Sequence, residues 1–208
     1  MNVYFEPWIG KEYYNQDVKI LVIGDSHYCG GCDKCGIRGC TIPEMGECKN
    51  FTRNTIKNYL SFRAGIIEKS NWMTKTYLPF DKIYFGHEDV TLEESLKLWN
   101  KIAFHQFVQT AISEEASNTN YTNDDYSLSS PMAKEVINIL KPDFIIVWGN
   151  RAYNSLDNEN WTQGSDNFNG SYLLPSGKSA KCIRIYHPSR ANVETWHSIL
   201  NNFINTGL

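Results

Sequence analysis

Lys19 to Tyr28 reads KILVIGDSHY, an apolar run that breaks at Gly24 into four polar residues, Asp25, Ser26, His27 and Tyr28. The run 18–24 is too short for a helix and rich in β-branched residues, which predicts a strand buried on both faces. A second stretch of the same kind, IRIYHPSR at 183–190, runs from an apolar strand into His187, Pro188 and Ser189. In a parallel α/β sheet the loops at the carboxyl ends of strands gather around one cleft, so residues far apart in sequence can face each other. The chain therefore reads as an enzyme with a two-loop site.

Bulk properties set the frame. With 208 residues, 41% of them hydrophobic, the chain can bury a full core as one domain over 1–208. It opens with no basic-then-apolar leader, and no apolar run approaches membrane-spanning length; the expectation is a cytoplasmic protein with no membrane partner. A net charge of −3 excludes the overall basic footprint of many nucleic-acid binders. The charge is uneven, however. Residues 28–82 hold nine lysines and arginines against five acids, whereas 83–130 hold two lysines against eight acids. A basic flank on an acidic protein is compatible with a phosphate-facing surface. Nothing in the sequence fixes the oligomeric state.

Working outward, 54–68 places Ile56, Tyr59, Leu60 and Ile67 at helical spacing, with Asn50 or Thr52 as cap. Thr91-Leu92-Glu93-Glu94 is a capping-box signature, and Leu92, Leu96 and Trp99 then mark the buried face of a second helix. The segment AFHQFVQ at 103–109 either ends that helix or forms a short strand. The string SNTNYTNDDYSLSS at 117–130 is polar and aperiodic and predicts a surface loop, after which Ser130-Pro131 starts a helix that stops at Lys141-Pro142. DFIIVW at 143–148 is another buried strand, entering a short helix through Tyr153 and Leu156. A loop or hairpin at 157–178, a last strand at 182–186 and an amphipathic helix at 193–204 complete the chain. Helix-strand-helix alternation is the signature of a parallel sheet, here an α/β fold of three layers, α/β/α.

Asp25 and His187 are the candidate acid-base pair. A carboxylate at a strand end can orient or deprotonate a water, and an imidazole across the cleft can donate to an oxygen on which negative charge develops. Pro188 biases His187 to an extended backbone. The order of strand, GDSHY, KPDFIIVWGNRAY at 141–153, strand and HPSR resembles the uracil-DNA glycosylase superfamily over most of the chain. That superfamily has a glycine-led loop after its first strand and a His-Pro-Ser loop after its last. The resemblance implies cleavage of the glycosidic bond to a base flipped out of DNA, with DNA as partner. It places Asp25 on the catalytic glutamate of the iron-sulfur branch's Gly-Glu-Ala-Pro-Gly loop. Aligned with the Gly-Gln-Asp-Pro-Tyr loop instead, Ser26 takes the water-activating aspartate and Tyr28 the pocket-walling tyrosine. His27 replaces the family's proline in either alignment. Gln106 is the candidate for the base-reading asparagine and Phe51 for a ring stacked on the base, with Gly24, Ser189 and Arg190 completing the substrate-binding set.

Five of the six cysteines, Cys29, Cys32, Cys35, Cys40 and Cys48, lie within a glycine-rich stretch at 29–48 directly after that loop. Overlapping C-x2-C steps in a cytosolic protein predict a metal-binding loop that holds zinc through four of the five, with an iron-sulfur cluster as the alternative. Cys182, inside a strand, reads as core. Two further functions compete. IGDSH resembles the nucleophile loop of the GDSL-type esterases, with Ser26 as nucleophile and His187 as base, although the position of their orienting aspartate is Arg184 here. The third is a non-catalytic, metal-containing nucleic-acid-binding protein on the same fold.

Overall fold

A computed structural model describes residues 1, 3–27, 48–110, 122–156 and 159–206. The two apolar runs are its central strands, β2 (Ile20–Gly24) and β4 (Phe144–Trp148), and every residue of both is buried. They pair in parallel, Val22 opposite Ile146. Outside β2 lies β3 (Ala103–Gln106), and outside β4 lies β7 (Ser179–Ile185), both also parallel. The strand reading of AFHQ is therefore the right one of the two.

The sheet is mixed rather than parallel throughout. Its seven strands run in the order β1-β3-β2-β4-β7-β6-β5. The short β1 (Trp8–Ile9) pairs antiparallel with β3, and β6 (Asn169–Leu173) and β5 (Trp161–Gln163) extend the other side as an antiparallel hairpin on β7. Strand alternation divides the core in two. Ile20, Val22, Phe104, Phe144, Ile146 and Trp148 join one cluster, which takes in side chains of α1 (Phe51–Arg63), α2 (Leu78–Phe85), α3 (Leu92–Lys101) and α6 (Val193–Thr206). Leu21, Ile23, Ile145, Val147 and Cys182 join the other, against α4 (Asn123–Leu140) and α5 (Asn150–Asn154).

Several helix expectations need correction. The first helix begins at Phe51 and ends at Arg63, before Gly65 turns the chain at φ 70°, so Ile67 lies outside it and is 38% exposed. The α3 capping box forms as expected, but the buried face is Ser95, Leu98 and Trp99, while Leu96 points to solvent. Ser95 is inside because its hydroxyl donates to the buried Asp81 carboxylate at 2.5 Å, joined there by Tyr59 Oη at 2.6 Å and Trp99 Nε1 at 2.9 Å. The largest correction is α4. Ser130-Pro131 does not start it; Thr122 does, through a capping box with Asp125, and Pro131 sits in mid-helix. One missing i to i−4 bond is tolerated there because the flanking turns are buried on Ala133 and Tyr126. A π-helical segment, Met73–Tyr77, leads directly into α2 and had no counterpart in the sequence reading. Among the described residues no helix is long and apolar enough to cross a membrane.

Candidate active site

Parallel pairing brings the carboxyl ends of β2, β3, β4 and β7 to one edge, and a cleft of about 1160 Å³ opens there. Asp25, Ser26 and His27 line it from the β2 loop, Gln106 from the end of β3, Trp148 from β4, and His187, Ser189 and Arg190 from the loop after β7. Phe51 adds an aromatic wall from the start of α1. The two loops singled out by sequence thus face one cavity. Gly24 stands behind them: it pairs with Gln106, and a Cβ there would overlap the Gln106 side-chain oxygen and lie 2.8 Å from Phe104 Cζ. Tyr28, Cys29, Cys32, Cys35 and Cys40 lie outside the described residues. Cys48 is half-buried in a short turn before α1, and among the described residues no group of His, Cys, Asp and Glu is assembled for a metal.

His187 is held in one protonation state. Its Nδ1 accepts the Ser189 backbone N–H at 3.3 Å and contacts Ser189 Oγ at 2.8 Å, so the ring proton resides on Nε2. Burial, reinforced by the Arg190 charge, lowers its pKa to about 4, which keeps the ring neutral near pH 7. The edge of this ring meets Trp148 at a centroid distance of 6.1 Å.

Asp25 is in the opposite situation, its carboxyl pushed up by burial. Tyr126 Oη donates to its Oδ1 at 2.7 Å and, with the charge of Arg151, pulls the pKa back down. Neither residue figured in the sequence reading. Tyr126 lies in the polar string taken for a loop, and Arg151 directly follows Gly149-Asn150 at the end of β4.

His27 is buried and its Nε2 lies 2.7 Å from Thr52 Oγ1, with its ring packed edge-on against Phe51 (4.4 Å) and Phe5 (4.8 Å). Burial and the neighbouring His105 lower its pKa to about 3. It therefore pins the loop after β2 to α1 as a neutral imidazole. No protein-family model matches this chain, and no curated protein matches it. The chemistry must be read from the cleft itself.

Two buried polar atoms on cleft-lining side chains have no hydrogen-bond partner, Gln106 Oε1 and Trp148 Nε1. The Gln106 amide is engaged with the Tyr77 hydroxyl, while its oxygen, packed toward Gly24, and the indole N–H are both buried. Charge on the described lining is cationic, with Lys75, Arg151 and Arg190 against Asp25. Trp72, one turn before Lys75 on the π-helical segment, is 37% exposed at the rim. Gln109 ties the surroundings together. Its side chain accepts from Phe5 N at 2.9 Å and donates to Gln106 O at 2.7 Å, while its backbone N–H donates to Ser129 Oγ of α4 at 3.0 Å.

Proposed function

We propose that the protein is a divergent uracil-DNA glycosylase-like hydrolase, with that superfamily's three-layer arrangement, which releases uracil or a damaged base from DNA. The supporting observation is the set of side chains that the fold brings to one cleft: Asp25 from the loop after β2, Gln106 from the end of β3, and from the loop after β7 a neutral His187 with its proton on Nε2. The edge of uracil carries two carbonyl acceptors flanking an N–H donor, and the His187 N–H is a donor suited to one of those carbonyls. Phe51 offers a ring for stacking, and the cationic lining suits the phosphates of the strand. Extruding a base costs a few kcal/mol of unstacking, which a closed, complementary pocket offsets.

In this reading the bond between C1′ of the sugar and N1 of the base breaks, and the electron pair leaves with the base. His187 Nε2–H donates to the carbonyl oxygen on which that charge collects, with no proton transfer required. The Asp25 carboxylate stabilises the sugar cation, orients water toward C1′ and accepts the proton the water loses. Four of the cysteines Cys29, Cys32, Cys35, Cys40 and Cys48 would hold zinc, a thiolate set that also suits an iron-sulfur cluster. Metal analysis of protein prepared without chelator should then find about one zinc per chain; brown colour would replace zinc with iron-sulfur.

The esterase alternative requires the other histidine tautomer, because a serine nucleophile needs a bare Nε2 and an Nδ1–H held by a carboxylate. His187 offers the reverse, and Arg184 at the acid's position instead donates to Asn150 and stacks on Phe168. The deciding experiment incubates the protein with uracil-containing single and double strands, with a p-nitrophenyl ester in parallel. Alkali-labile strand breaks are expected; ester turnover alone favours the esterase, and strand binding without base release favours the non-catalytic reading.

A further inference from the structure

We infer that Tyr126 and Arg151 are positioning residues for Asp25: the Arg151 guanidinium bonds the Tyr126 hydroxyl, and that hydroxyl donates to Asp25 Oδ1, holding the carboxylate in place at the cleft. The role given to Asp25 rests on the proposed glycosylase reading; the chain of contacts does not. Three separate elements converge, the loop after β2, the N-terminal half of α4 and the start of α5. Tyr126 is 4% exposed and its hydroxyl crosses 101 positions of sequence to reach Asp25 at 2.7 Å. Arg151 hydrogen-bonds to that hydroxyl and acts on Asp25 through its charge.

The arrangement answers a physical problem. A carboxylate withdrawn from water favours its neutral form, which can neither orient a water as a base nor support a cation. A hydroxyl that donates to it favours the ionised form, and a guanidinium bonded to the phenol oxygen strengthens that donor. Tyr126 does not lose the proton itself, because burial and the Asp25 charge drive its own ionisation far above neutral pH. Of the other charged or titratable groups on the cleft, Lys75 and Arg190 add positive charge, and His27 and His187 are neutral near pH 7. Orientation is fixed independently, since Ser129 of α4 both accepts from Gln109 N and donates to Asp125 O at 2.7 Å.

The test is a carbon-13 NMR titration of aspartate side chains in the full chain, with Asp25 assigned by loss of its resonance in Asp25→Asn. In Tyr126→Phe the Asp25 midpoint should rise by on the order of one pH unit, a tenfold change in ionisation. Arg151→Gln should raise it in the same direction, and Arg151→Lys, which keeps the charge, should recover part of the difference. A midpoint unchanged in both Tyr126→Phe and Arg151→Gln overturns the inference, and should one variant fail to fold the other decides it. Base release, where wild type performs it, should show its acidic limb moved in the same direction in Tyr126→Phe. Moved titrations without base release by any form, wild type included, would leave the positioning chain standing and remove the glycosylase reading.

Discussion

A histidine whose Nδ1 accepts a backbone N–H has settled where its proton sits before any ligand arrives. For His187 this makes the Nε2–H a fixed donor, and a donor that meets charge only as the bond breaks acts mainly on the transition state. His187→Ala is expected to lower base release by on the order of a hundred- to a thousandfold, about 2.7 to 4 kcal/mol, without unfolding the protein. Asp25→Asn should be of similar severity and Ser26→Ala mild; single-turnover rates on a uracil-containing strand measure all three. An inverted order, with Ser26→Ala the worst, would transfer the site to esterase chemistry. The pH profile follows from the same residues. The active forms are ionised Asp25 and neutral His187, so both produce an acidic limb and neither an alkaline one. With the Asp25 carboxyl raised by burial and His187 lowered to about 4, both groups place that limb on the acid side of neutrality.

At the scale of elements, the sequence was most readable where one local rule acts alone. Continuous apolar runs announced β2 and β4, and the Thr91–Glu94 box announced α3. Reading failed where two signals compete or a turn has no signature. Thr122 and Asp125 make as good a cap as Thr91 and Glu94, but the polar string around them and the conspicuous Ser130-Pro131 drew the boundary eight residues late. Tyr126, the partner of Asp25, went with it. The segment before α2 escaped for a different reason. Its buried positions, Met73, Tyr77, Phe80 and Ile83, do keep helical spacing, but the π-helical turn Met73–Tyr77 that joins them to α2 has no sequence signature of its own. Trp72 stands partly exposed with Lys75 on the cleft lining, next to the His187 loop. Base stacking on an aromatic is worth about 1–3 kcal/mol by alanine substitution. Trp72→Ala should therefore weaken binding of a labelled oligothymidine at least several-fold, measured by fluorescence anisotropy, with little change in thermal midpoint. Unaltered affinity would show that the strand runs elsewhere.

Across the whole molecule, the two core clusters bury two histidines, His27 and His105, each lowered to about 3 by desolvation first of all. A folded-state pKa below the unfolded value means that stability is complete above about 6.5 and is lost as pH falls toward the folded value. Asp81 acts in the opposite sense. Its carboxyl is raised to about 6 by burial, so its contribution is present at low pH and lost as pH rises through 6. Between pH 7 and 5 each histidine should cost about 2 kcal/mol and Asp81 return about 1 kcal/mol, leaving the protein less stable at pH 5. Urea midpoints at the two pH values measure this, and His105→Gln should flatten the difference; an equal drop in that variant would assign acid sensitivity to other groups. None of this was visible in sequence, where His27 was a cleft residue only and His105 one letter of an ambiguous segment. The antiparallel additions were equally hard to see. β1 has two residues, and the hairpin of β5 and β6 is rich in Asn, Gly and Ser, which serve loops and strand edges alike.

One side chain carries a consequence well beyond its own position. Gln109 grips Phe5, Gln106 and α4 together, through three bonds whose geometry depends on all three segments being in place. The leading stretch of chain is thereby a mechanical part of the cleft's support, although it contributes nothing to the cleft wall that Phe5 does not pass on through His27. Cleavage or a bulky fusion just ahead of Pro7 would slacken the Gln106 side and the α4 side that holds Asp25 at once. Loss of function by a lesion some distance from the chemistry, with the fold intact, is the behaviour such a tether imposes.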